Sequence, residues 1–199
     1  MKLLLSGSPG SIKDLLFSFK YENMIRDVAI YFPGQAEDEF FGAYEKLGSE
    51  AEAQDFFRNQ SPLFLVAETN SGNRKVQTEK FRDLGGFPLS FFSSESLISR
   101  HNSISGESVV IQMSCDISND VVIEKGVFIG MKCLVGHDVK IGAYTTLGPK
   151  VTVLGYVSIG ENCEIAAGVT IMPSVKIGNN VKISVGQVIK KDLADNATV

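Results

Sequence analysis

The chain carries only two histidines and three cysteines in 199 residues. Two histidines argue against a catalytic zinc held by three imidazoles, and no metal is expected. There is no run rich in Lys or Arg, and the formal net charge is −4, which gives no support for a nucleic-acid partner. Long apolar runs are also missing from the N-terminal region. Leu3-Leu4-Leu5 soon meets Ser6-Gly7-Ser8-Pro9-Gly10, which is too short for a membrane span or a signal-peptide core. The expectation is a soluble cytoplasmic protein with no membrane span.

What the chain does have is a period of six. Ile, Val or Leu stands at every sixth position from Ile111 to Ile189, fourteen positions without exception. This period is neither helical nor a simple strand alternation. It signals one short unit repeated and stacked, as in a parallel β-helix. The residue two before each ladder position is mostly Val (Val109, Val121, Val127, Val139 and onward), so both positions are expected to point inward. Cys115, Cys133 and Cys163 occupy this second position and read as small core residues. Cys115 and Cys133 are 18 residues apart, one turn of a triangular coil. They would stack about 4.8 Å apart, a spacing that does not exclude a disulfide. In the cytoplasm they are expected as thiols. Gly130, Gly136, Gly142, Gly148, Gly160 and Gly178 each follow a ladder residue and are expected to form the corners.

Residues 1–92 read differently. Strand candidates at Lys2–Leu5, Val28–Phe32, Leu63–Ala67 and Phe87–Phe92 alternate with helix candidates at Ile12–Tyr21, Ser49–Asn59 and Gly72–Leu84. That alternation predicts a small parallel α/β sheet. Residues 93–110 keep a spacing of six at Ile98, Ile104 and Val110, then slip by one residue. They read as a connecting or capping segment, or as a first imperfect coil. The β-helix is expected over 111–199.

Several motifs together resemble a known family. They are Gly7-Ser8-Pro9-Gly10 after the first strand, Gly136-His137-Asp138-Val139-Lys140-Ile141-Gly142, Leu154-Gly155-Tyr156-Val157-Ser158-Ile159-Gly160 and Ile171-Met172-Pro173. The chain resembles the hexapeptide acyltransferases, and within them the sialic-acid O-acetyltransferase and bacillosamine N-acetyltransferase group. The resemblance implies an α/β Rossmann-like N-terminal domain followed by an all-β left-handed parallel β-helix, assembled as a homotrimer. It implies acetyl transfer from acetyl-CoA to an amine or hydroxyl of a sugar, often nucleotide-linked, as in surface-glycan biosynthesis. It assigns His137 as the catalytic base, Asp138 as its partner, and the Gly155 N–H to the thioester carbonyl. It carries cofactor contacts to Thr146, Ala167, Gly168, Val185 and Gly186, and acceptor contacts to Gly7, Gly10, Ser11 and Asn70. The family pattern has a second His where Thr146 stands and a Gly where Val185 stands. Two rival readings follow. A γ-type carbonic anhydrase would need three histidines. A catalytically degenerate relative would serve as a binding or scaffold subunit.

The chemistry suits the residues. Acyl transfer from a thioester needs a base, an oxyanion donor and two substrates held side by side. Histidine is a suitable base because it titrates near neutrality. His101 lies in the polar stretch Ser99-Arg100-His101-Asn102-Ser103, away from the regular ladder, whereas His137 falls at a corner of the repeat.

Overall fold

A computed structural model describes residues 2–19, 27–33 and 39–199, and the chain divides into two compact units. The first comprises residues up to Glu68 together with Asn73–Leu89, and the second Thr69–Gly72 together with Ser90–Val199.

In the first unit, β1 (Lys2–Gly7), β2 (Asp27–Tyr31), β3 (Glu45–Leu47), β4 (Leu63–Ala67) and β5 (Phe87–Pro88) form one parallel sheet in the order β3-β2-β1-β4-β5. In the central strand β1, Leu3, Leu4 and Leu5 are fully buried. Helix α1 (Pro9–Phe19) opens with proline, whose missing N–H costs nothing in a first turn. The expected helix over 12–21 therefore starts earlier, and residues 20 and 21 lie outside the described set. Helix α2 (Glu50–Asn59) begins at a capping box: the Ser49 side chain accepts from Glu52 N–H while the Glu52 carboxylate reaches back. Helix α3 (Ser71–Asp83) follows β4. Phe56, Phe57, Phe64 and Phe81 fill one side of the sheet with edge-to-face and tilted ring contacts. The short strand β3 was not among the sequence expectations. It is an edge strand of Glu-Lys-Leu, too short and polar to leave a pattern.

The second unit is a parallel β-helix of two-residue strands on three faces. The first face stacks Phe91–Phe92, Val110–Ile111, Phe128–Ile129, Thr146–Leu147, Glu164–Ile165 and Lys182–Ile183. The second stacks Leu97–Ile98, Asp116–Ile117, Leu134–Val135, Thr152–Val153, Thr170–Ile171 and Val188–Ile189. The third stacks Ser103–Ile104, Val122–Ile123, Lys140–Ile141, Ser158–Ile159 and Lys176–Ile177. The ladder residues and those two before them form one continuous buried column. Each buried Ile or Val contributes roughly 1.5–3 kcal/mol of apolar burial.

Residues 91–104 supply a complete first coil. Phe92, Ile98 and Ile104 pair with Ile111, Ile117 and Ile123, one residue further along than the 18-residue spacing of later coils such as Ile111 with Ile129. The slip in the sequence is thus one extra residue in the turn before Val110. The expected fourth strand at 87–92 is split: Phe87–Pro88 pairs with β4, and Phe91–Phe92 pairs with Val110–Ile111.

The corners correct one expectation. The glycines directly after ladder residues do not make the turn. Positive φ falls two residues later, at every sixth position from Ser108 to Gly186: Ser108, Ser114, Asp120, Gly126, Lys132, Asp138, Tyr144, Lys150, Tyr156, Asn162, Gly168, Ser174, Asn180 and Gly186. The left-handed conformation turns each N–H along the prism axis. Lys132 N–H thereby reaches Met113 O at 3.1 Å, Lys150 reaches Met131 O at 2.9 Å and Tyr156 reaches His137 O at 3.0 Å. The glycines serve close approach instead. A β-carbon on Gly142 would stand 2.6 Å from the backbone of Gly160 in the next coil.

The three cysteines are free and buried. Each thiol donates to the carbonyl of the glycine 15 residues on: Cys115 to Gly130, Cys133 to Gly148 and Cys163 to Gly178, at 3.0–3.2 Å. The Thr145 hydroxyl makes the same bond to Gly160 O at 2.8 Å. These four departures from Val are therefore donors to a carbonyl that a methyl group would leave without this bond.

Candidate active site

The second face ends at a corner where consecutive coils place His137 beneath Gly155 and Asp138 beneath Tyr156. The Nδ1 of His137 lies 2.9 Å from Asp138 Oδ2, which fixes the ring plane and leaves Nε2 as the nitrogen without a partner among the described residues. Asp138 is one of the left-handed corner residues (φ 57°), a conformation that Asp tolerates better than most side chains. Gly155 is not in that conformation; its role is space. A β-carbon there would stand 2.8 Å from both Cε1 and Nε2 of His137. Among the described residues the Gly155 N–H has no acceptor, whereas its carbonyl is taken by Ser174 N–H at 3.0 Å.

The ring of Tyr156 meets the imidazole at 4.9 Å between centroids and 88° between planes. Sequence reasoning did not single out Tyr156, because a lone tyrosine in a turn carries no pattern. Beside this corner a shallow depression of about 420 Å³ is lined by Leu97, Asp116, Ile117, Ser118, Leu134, Val135, Gly136 and His137. His101 is exposed in the first coil and lines no part of it.

The residues expected to meet a cofactor divide into two sets. Ala167 and Val185 stack one coil apart at the corner between the first and second faces, each followed by a glycine with positive φ (Gly168 69°, Gly186 73°). The N–H groups of Ala167 and Val185 have no acceptor among the described residues. The positive φ falls on Gly186, so Val185 is not asked for a conformation that a β-branched residue resists. The Val185 side chain is 72% exposed. Thr146 stands apart: it is buried on the first face and its hydroxyl donates to Thr69 O at 2.7 Å.

The expected acceptor residues also separate. Gly7 ends β1 with φ 149°, and a side chain there would collide with the Ala67 carbonyl. It lines a cavity of about 280 Å³ with Ser6, Tyr31, Pro33, Val66, Glu68, Asn73, Val76 and Gln77, at the carboxyl ends of β1, β2 and β4. Gly10 and Ser11 do not line it. Ser11 is buried, with its hydroxyl 2.8 Å from that of Ser8. The Asn70 amide is engaged by Glu164, whose Oε1 also accepts from Ser71 N–H and Oγ. The partner that claims Asn70 lies 94 residues away, so no local signal could reveal it.

The six-residue corners and stacked two-residue strands define the second unit as a hexapeptide-repeat β-helix. Residues 120–155 and 156–190 match the family model described as bacterial transferase hexapeptide (six repeats). Comparison with curated proteins finds no match. Among solved structures, the chain is similar to a variant of perosamine N-acetyltransferase from Caulobacter crescentus in complex with CoA and GDP-perosamine. The TM-score is 0.89 at 22% identity, covering 100% of this chain and 92% of that one. It is also similar to the acetyltransferase domain of PglB from Neisseria gonorrhoeae in complex with acetyl coenzyme A, with TM-score 0.84, 21% identity and coverage of 100% and 95%. WeeI from Acinetobacter baumannii gives 0.76 at 17% identity, with coverage of 100% and 96%. These likenesses establish a shared fold over the whole chain.

Proposed function

We propose that this protein is an acetyl-CoA-dependent acetyltransferase acting on a nucleotide-linked amino sugar in surface-glycan biosynthesis. The observation that carries the reading is the His137 corner: an imidazole tied at Nδ1 by Asp138, under Gly155, with neither Nε2 nor the Gly155 N–H partnered among the described residues. The similar structures bound to CoA and GDP-perosamine support the substrate class.

On this reading acetyl-CoA supplies the acetyl thioester, and the groups present fit it: the free N–H groups of Ala167 and Val185 and the open space beside Gly168 and Gly186 offer backbone contacts to its arm. His137 Nε2 takes the proton from the attacking amine as its nitrogen bonds to the thioester carbon, Asp138 stabilises the imidazolium that results, and the proton passes to the CoA sulfur as the C–S bond breaks. The Gly155 N–H donates to the developing oxyanion. The cavity at Gly7 receives the nucleotide portion, in the position where open parallel sheets bind ligands. The strand order β3-β2-β1-β4-β5 supports a Rossmann-like reading of the first unit. The left-handed sense of the β-helix, a homotrimeric assembly and a cytoplasmic location belong to the same proposal. Among the described residues no helix is long and apolar enough to cross a membrane.

The test is turnover of acetyl-CoA with a panel of nucleotide-linked amino sugars, with His137→Ala beside the parent chain. Loss of the base should lower turnover about 10²–10⁴-fold. Equal turnover in the variant would remove His137 from this role.

A further inference from the structure

Tyr156 is unlike its neighbours in the corner column. Asp120, Asp138 and Ser174 occupy the equivalent left-handed positions of adjacent coils, and all are small and polar. Tyr156 holds the same conformation (φ 62°) with a bulky ring, which L-residues other than Asn and Asp seldom do. The other left-handed tyrosine, Tyr144, is accounted for by packing: it is 6% exposed and its ring fills the space over Gly126. Tyr156 fills no such space. Tyr156 is 61% exposed, and among the described residues its ring meets only the His137 imidazole. The backbone adds a second link, because Tyr156 N–H donates to His137 O at 3.0 Å.

The imidazole is therefore limited on three sides. Asp138 holds Nδ1, Gly155 lies against Cε1 and Nε2 without a side chain to push them away, and the Tyr156 ring stands perpendicular to the ring plane. We propose that Tyr156 is a positioning residue: its ring restricts rotation of the His137 imidazole and keeps Nε2 directed at the group that loses a proton. The inference rests on the base role proposed for His137. It adds that the rotamer of the base is set by a side chain one coil away, and that the left-handed backbone of Tyr156 is tolerated for that contact.

The two histidines make a direct test accessible, since imidazole resonances of His101 and His137 can be told apart with His137→Ala. Tyr156→Asn suits the left-handed corner and should fold, and Tyr156→Phe keeps the ring. In Tyr156→Asn the His137 ring signals should shift, while those of His101 stay. In the same variant kcat should fall about tenfold with acceptor KM within twofold, as expected when only the reacting group is misaligned. Tyr156→Phe should restore both the spectrum and kcat. If the parent chain turns over and Tyr156→Asn matches it in kcat, or raises KM alone, the positioning role is overturned. His137 signals that do not change in Tyr156→Asn overturn it as well. If the parent chain shows no acetyl transfer, the proposed function falls, and the positioning role falls with it.

Discussion

Gly155 lies so close above His137 that a single added carbon would stand 2.8 Å from Nε2. The glycine and the imidazole share one space, divided between two coils. Gly155→Ala should therefore leave the stacked core intact and displace the imidazole. We expect a melting temperature near that of the parent and a loss of acetyl transfer of about a hundredfold, the effect of a displacement near 1 Å. Steady-state kinetics beside a thermal melt checks both. Full activity would mean that the imidazole works from another rotamer.

Asp138 does two things at once, and substitution separates them. It turns the corner with φ 57° and holds His137 Nδ1. Asn keeps the corner but replaces a carboxylate acceptor by an amide that can donate to Nδ1 and favour the wrong tautomer. Asp138→Asn should lower kcat about ten- to a hundredfold, less than removal of the imidazole itself, with little change in stability. A pH–rate profile should show the altered base, and an unchanged profile would leave Asp138 as a turn residue.

The two kinds of corner position should respond oppositely to glycine. Lys150 has φ 59°, a conformation that costs an L-residue about 1–2 kcal/mol; Lys150→Gly recovers this against about 0.4–1 kcal/mol of unfolded-chain entropy, a net gain of up to about 1.6 kcal/mol. Gly142→Ala places a carbon 2.6 Å from Gly160 and should destabilise by about 1–3 kcal/mol. Chemical denaturation of the two variants gives both signs. A stable Gly142→Ala would show that the coils can move apart freely.

The thiols should be silent in the native state. The Cys133 thiol draws Cys115 down, the Cys115 thiol and burial push Cys133 up, and burial pushes Cys163 up; all three are buried in the column, so a reagent cannot reach them. An aromatic disulfide reagent should react with none of the three cysteines in the folded protein and with all three in denaturant. Rapid labelling of the native chain would show that the column opens.

How much of this was legible in the sequence depends on where each signal sits. The ladder from Ile111 to Ile189 was readable because burial repeats at a fixed period. The corners were not, because the glycines after ladder residues serve close approach while the left-handed positions carry Ser, Asp, Lys, Tyr, Asn or Gly and share no composition. The proposal for His137 came from its neighbours in the chain. Tyr156, 19 residues later, and Glu164, which engages Asn70, act through space and leave no trace at the positions they serve. The edge strand β3 was missed because three residues, two of them charged, show no alternation.

The coil is also a unit of length. Beyond the first coil, equivalent positions recur every 18 residues, as Gly126, Tyr144, Asn162 and Asn180 do at one corner. Each recurrence advances about 4.8 Å along the axis. The His137 corner and the Ala167–Val185 corner are thus separated along that axis by a count of repeats, whatever their side chains. Inserting one whole coil between Tyr156 and Ala167 would keep every ladder contact in register and move the two corners apart by one step. The prism works as a ruler, and the reach between the proposed base and the proposed cofactor column is graduated in coils.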